Sequence, residues 1–317
     1  MLADLGWIGL GLALLYFGAE GLVGGSSRLA MRFGVSPLVV GLTVVAYGTS
    51  APELVVSVKA AWLGQGSLAV GNVVGSNIMN IACILGLCSL IEPARADSRI
   101  VRREIPVMIG VTAVGTLLLW DGALRRWEAM VLLVGAAGYT VWTLSDARRQ
   151  RTDPLAGEFA AELPASGGSL GRDVLFIVGG LALLIAGGHY FVEGAQGMAR
   201  RLGVSEAVIG LTIVAAGTSL PELATSLLAA WRKENEIAVG NVVGSNVFNL
   251  LGILGISGVL RPIEATGMAA VDLLVMTGVA VLLLPLMRTG LRVSRPEGAL
   301  LLAGYGGYVG YLWAQST

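Results

Sequence analysis

The chain has 317 residues, of which 55% are hydrophobic and 13% charged, and its 21 basic and 21 acidic residues cancel to zero net charge. An ordinary soluble domain is about a quarter charged, so this composition excludes a soluble globular core, and the balanced charge offers no footprint for nucleic acid. The apolar runs are mostly about 20 residues long, the length that crosses a bilayer.

Taken in order, the predicted spans cover about 4–24, 37–63, 68–91, 101–120, 127–145, 172–195, 206–231, 236–260, 268–288 and 297–315. The first follows an acidic start, Met1-Leu2-Ala3-Asp4, so it reads as a span rather than a cleaved leader. The longest polar interruption, Ser145 to Arg172, carries Pro, Gly and mixed charge and reads as a loop. It separates residues 1–145 from 172–317, five spans on each side of a cytoplasmic segment 146–171. With the N-terminus outside, about fifteen basic residues fall in inside loops and about five in outside ones, so N-out and C-out is the expected orientation. An inner (plasma) membrane location goes with it.

Two stretches are copies of one another. Gly41 to Pro93 and Gly210 to Pro262 align without a gap and share about 29 of 53 positions. Five spans separate matching points, an odd number, so the second copy crosses the membrane upside down relative to the first. The expected fold is all-α and polytopic: ten transmembrane helices as two inverted five-helix repeats. Inverted repeats with interrupted apolar segments are the mark of secondary transporters, whose site lies near the midplane where the repeats meet.

Each copy holds a carboxylate in mid-span, Glu53 and Glu222, where ionisation costs several kcal/mol unless a cation or proton compensates it. Helical spacing puts Ala46, Thr49, Ser50 and Ser57 on the Glu53 face, and Ala215, Thr218, Ser219 and Ser226 on that of Glu222. Stacked hydroxyl and carboxylate oxygens suit a hard cation. Pro52 and Pro221 cannot donate to the carbonyl four residues back, so a kink or break is expected beside each acid, with exposed carbonyls around 46–49 and 215–218. In the next span Asn72, Ser76 and Asn80 share a face, as do Asn241, Ser245 and Asn249. Asn80 and Asn249 are candidate ligands, while Asn77 and Asn246, off that face, read as interhelical or capping residues. Cys83 and Cys88 read as small buried hydrophobes, His189 as a packing or interfacial residue, and Trp62 and Trp231 as interface anchors.

The paired runs GTSAPE with GNVVGSN-x-x-N, and GTSLPE with GNVVGSN-x-x-N, resemble the two alpha-repeats of the sodium/calcium exchanger family, within the calcium/cation antiporter superfamily. The resemblance implies a ten-helix bundle with its second, third, seventh and eighth helices at the core. It implies alternating access in which Ca2+ moves against Na+, with no bound cofactor and no catalysis. Carried over by motif position, Glu53 and Glu222 would hold calcium with the backbone carbonyls of Thr49 and Thr218. Ala46, Ser50, Ser76, Ala215, Ser219 and Ser245 would form sodium sites, and Asn80 and Asn249 the remaining central places. Several microbial and potassium-dependent relatives have an acid at one of those last two positions. Both are Asn here, which counts against potassium co-transport. A Ca2+/H+ antiporter is the second reading, although that branch lacks the Thr-Ser-x-Pro run. A channel would ring identical segments rather than invert two. An intramembrane serine protease would need a Ser partner for His189, and none is evident.

Overall fold

The computed structural model describes residues 1–151, 169–203, 215–265 and 269–316. Of the loop expected at 146–171, residues 146–151 continue α5 as helix and 170–171 already belong to α6, so that loop is shorter than the sequence suggested. Residues 152–168 and the second motif from Gly210 to residue 214 lie outside the described residues, as do the side chains of Arg148, Arg149, Arg151 and Ala215.

Among the described residues, ten helical segments follow the expected order. They are α1 Leu2–Phe33, α2 in two pieces (Pro37–Thr49 and Ala51–Trp62), α3 Gly66–Ile91, α4 (Ile100–Glu104 running into Ile105–Leu118) and α5 Arg126–Arg151. The second half supplies α6 Leu170–Arg201, α7 (Ala215–Gly217, then Leu220–Trp231), α8 Asn235–Leu260, α9 Ala270–Arg288 and α10 Arg295–Ser316. Among the described residues, six of these are long and apolar enough to cross a bilayer alone, and the bent α2 pair makes a seventh span. α4 falls short because Arg102, Arg103 and Glu104 stand together in its first turns, and α7 is described only from Ala215 onward.

Four two-residue strands lock the halves together. β1 (Ala94–Arg95) follows α3 and pairs antiparallel with β4 (Arg292–Val293) between α9 and α10. β3 (Ile263–Glu264) follows α8 and pairs with β2 (Ala123–Leu124) between α4 and α5. α4 runs from β1 to β2, so the two pairings lie at opposite ends of the bundle. The spacing from Ala94 to Ile263 and from Ala123 to Arg292 equals that from Gly41 to Gly210. The inverted repeat therefore extends through the whole of each half, beyond the stretch where the residues are visibly alike.

α1 and α6 are each 32 residues and pack against one another as an antiparallel pair. At about 1.5 Å per residue each is longer than the hydrocarbon core is thick. Glycine permits the contact: a Cβ on Gly18 would lie 2.8 Å from the Gly180 carbonyl, and one on Gly187 would lie 2.7 Å from the Leu15 nitrogen. Small residues on a membrane helix let two backbones approach in this way. Matching ion pairs close both ends. Arg201 meets Asp4 at 2.7 Å at one end, and Arg28 and Arg32 meet Asp173 at 2.9 and 3.0 Å at the other. Arg28 and Arg32, counted as loop residues from the sequence, thus sit on the last turns of α1.

The centre belongs to α3 and α8. Of their apolar stretches 72% and 83% is buried, against 28% in α1, α5, α6 and α9. α2 and α7 pack on them, α2 against α8 and α3, and α7 against α8. Trp62 and Trp231 are exposed at the ends of α2 and α7, in keeping with the anchoring role. His189 is exposed on α6 and lies 3.6 Å from Glu193 one turn on. Cys83 and Cys88 are free thiols.

Candidate cation site

The site is built from two helix breaks. α2 bends by 47° at Ser50, whose φ of −79° and ψ of 8° interrupt the helix. Pro52 then takes one of the first positions of the new helix, where its missing N–H costs nothing. Ser219, with φ −88° and ψ 8°, and Pro221 repeat the arrangement in α7. Both acids therefore stand in the first turn of a helix that begins inside the bundle, Glu53 in Ala51–Trp62 and Glu222 in Leu220–Trp231. The positive end of the helix dipole favours a carboxylate there. The break is narrower than the sequence suggested: the Ala46 carbonyl accepts from the Ser50 N–H at 3.1 Å and from Ser245 Oγ at 3.4 Å.

Each acid is held by the opposite repeat. Ser219 Oγ donates to Glu53 Oε1 at 2.8 Å, and Ser50 Oγ donates to Glu222 Oε1 at 2.8 Å. Ser76 lies 3.2 Å from Ser219 Oγ, which brings α3 to the same point. Thr49 Oγ1 donates to Asn241 Oδ1 at 3.1 Å, and Thr218 Oγ1 to Asn72 Oδ1 at 3.4 Å, so the threonines tie each break to the other repeat. Asn72 and Asn241, expected to share a face with Ser76 and Ser245, turn instead to the second halves of α2 and α7. Their amide nitrogens donate to Ser57 and Ser226, each at 2.9 Å. Those serines thus brace neighbouring helices.

Glu53, Glu222, Asn80, Asn249, Ser50, Ser219, Thr49, Ser76, Ser245 and Ala46 are all buried. Within this enclosure four acceptor atoms have no hydrogen-bond partner: Glu53 Oε2, Glu222 Oε2, Asn80 Oδ1 and Asn249 Oδ1. They form two repeat-related pairs on α2, α3, α7 and α8. A buried acceptor without a donor is costly. Two carboxylate and two amide oxygens left bare are of the chemistry that suits a hard cation, which takes oxygen ligands throughout. The asparagines stand where the helix is underwound: the π-helical turns Met79–Ile84 and Asn249–Ile253 begin at or beside them. Such turns recur at functional sites. Neither they nor the pairing of each acid with the far repeat follows from residue spacing. Identity of the GSN run in both copies was the available signal for Asn77 and Asn246, which join the repeats here (Asn77 Nδ2 to the Asn246 carbonyl, 3.1 Å).

Known proteins match this arrangement over nearly the whole chain. The family described as sodium/calcium exchanger protein matches residues 4–145 and 173–314. The putative antiporter CaxA of Alkalimonas amylolytica is 40% identical over 304 residues, covering 94% of this chain and 95% of its own. Sodium/calcium exchanger MaX1 of Methanosarcina acetivorans is 31% identical over 330 residues, covering 93% and 94%. A solved structure of the sodium-calcium exchanger NCX_Mj, soaked with zero Na+ and Ca2+, superposes with a TM-score of 0.85 at 32% identity, covering 98% of this chain and 99% of that one. With its inverted ten-helix architecture and its paired motifs, this chain belongs to the sodium/calcium exchanger family.

Proposed function

We propose that the protein is a secondary antiporter that exchanges Ca2+ for Na+ across the membrane by alternating access at a site between its two repeats. The observation that carries the reading is the enclosed set of four unpartnered acceptors, Glu53 Oε2, Glu222 Oε2, Asn80 Oδ1 and Asn249 Oδ1. Two carboxylates neutralise one divalent cation, and two amides complete an oxygen cage without adding charge. Calcium takes this centre with the help of the Thr49 and Thr218 carbonyls. Sodium takes overlapping places formed by Ser50, Ser76, Ser219, Ser245, Ala46 and Ala215. Because the ions share ligands, one displaces the other, and exchange follows from that competition.

The working units are residues 1–145 and 172–317, joined on the cytoplasmic side by the segment between the end of α5 at Arg151 and the start of α6 at Leu170, with both termini outside and the protein in the inner (plasma) membrane. The excess of basic residues at the proposed inner face supports that orientation.

A flux measurement tests the function. Proteoliposomes loaded with sodium and diluted into sodium-free medium containing calcium should take up calcium, and uptake should collapse without the sodium gradient. Uptake driven equally well by a pH gradient would overturn sodium coupling. Glu53→Gln and Glu222→Gln should each abolish exchange, and a fully active double variant would overturn the site.

A further inference from the structure

Asn77 of α3 and Asn246 of α8 lie three residues before Asn80 and Asn249, fully buried where the repeats meet. Asn77 Nδ2 donates to the Asn246 main-chain carbonyl at 3.1 Å, and Asn246 Nδ2 donates to the Asn77 carbonyl at 3.4 Å. A main-chain carbonyl can only accept, so these bonds decide which way each amide faces. The nitrogen is committed to the partner's backbone and the oxygen is turned away. Asn77 Oδ1 then accepts from Asn249 Nδ2 at 2.9 Å, and Asn246 Oδ1 accepts from Asn80 Nδ2 at 3.0 Å. Each of these second amides, with its nitrogen held, must present its oxygen on its other side. Those are the oxygens that stand without a partner in the centre, Asn80 Oδ1 and Asn249 Oδ1.

We infer that Asn77 and Asn246 are positioning residues that fix the polarity of the two ion-facing amides across the repeat boundary. The inference rests on the cation-site reading above. An amide has one electronegative edge and one electropositive edge. Turned over, Asn249 would aim its NH2 at the cation and its oxygen at Asn77 Oδ1. A carboxylate has no such choice, since both its oxygens accept. The clasp is therefore needed because both central places are amides. With Asp at 249 it would become a burden, because Asn77 Oδ1 would face a carboxylate oxygen.

That reversal supplies the test. Calcium half-saturation of sodium-driven uptake, and equilibrium calcium binding to the purified protein, are measured for four proteins: wild type, Asn77→Ala, Asn249→Asp and the double variant. In the wild-type background Asn77→Ala should weaken calcium binding by about tenfold, the scale of one lost buried hydrogen bond. In the Asn249→Asp background the same change should cost less than about twofold or improve binding, which is a coupling between the two positions. Equal losses in both backgrounds, or no loss in the wild type, would overturn the clasp. Folding only in the Asn249→Asp background would support it, and failure to fold in either would mark Asn77 as a plain helix clamp and overturn it. The twin set, Asn246→Ala with and without Asn80→Asp, should behave alike. Asn249→Asp with unchanged calcium binding and flux would overturn the cation-site reading itself.

Discussion

Two adjacent glycines on α6 should respond in opposite directions to the same substitution. A Cβ on Gly180 would lie 2.6 Å from the Leu22 nitrogen and 2.7 Å from the Gly18 carbonyl, both backbone atoms of α1. A Cβ on Gly179 would meet nothing within 4 Å. Favourable carbon contacts begin at about 3.5 Å, so Gly180→Ala must push the two 32-residue helices apart by on the order of 1 Å. No side-chain rotation relieves a clash with backbone, so the cost should reach the upper end of overpacking, about 3 kcal/mol. Both substitutions gain up to about 1 kcal/mol of helix propensity over Gly. Gly180→Ala should then lose about 2 kcal/mol net while Gly179→Ala gains up to about 1 kcal/mol. At about 2 °C per kcal/mol for a chain of this size, the two midpoints should differ by roughly 6 °C. Thermal unfolding of the purified protein followed by tryptophan fluorescence measures this. A Gly180→Ala midpoint equal to or above that of Gly179→Ala would refute the close α1–α6 contact.

Two further outcomes are expected. Ser50→Ala and Ser219→Ala each strip a hydroxyl donor from a buried carboxylate of the opposite repeat. Each should raise the calcium half-saturation by at least about tenfold in the liposome assay, the scale of a hydrogen bond to a charged group; an effect confined to one serine would contradict the reciprocal arrangement. Asp173→Asn leaves Arg28 and Arg32 around a neutral amide, whereas Asp4→Asn affects a more exposed pairing with Arg201. Asp173→Asn should therefore lower the unfolding midpoint more than Asp4→Asn, and the reverse order would count against the end latches of the α1–α6 pair.

Much of this molecule could be read before any coordinates. The apolar runs required spans, the repeat and the odd number of spans between its copies required inversion, and a mid-membrane Glu beside Pro called for a kinked or broken helix and a compensating cation or proton. Those features depend on chemistry along one stretch of chain: length against bilayer thickness, the missing N–H of Pro, the cost of an unpaired charge. Tertiary structure decided the partners. Spacing grouped Ser50 with Glu53 and Ser219 with Glu222, as neighbours on one helix face, yet Ser50 serves Glu222 and Ser219 serves Glu53. Spacing likewise set Asn72 beside Asn80, yet one braces the second half of α2 and the other faces the centre. Helical periodicity reports which residues share a face and is silent on which helix that face meets. The meeting of half-helices from two inverted repeats settles that, and it alone leaves two amide and two carboxylate oxygens buried without a donor.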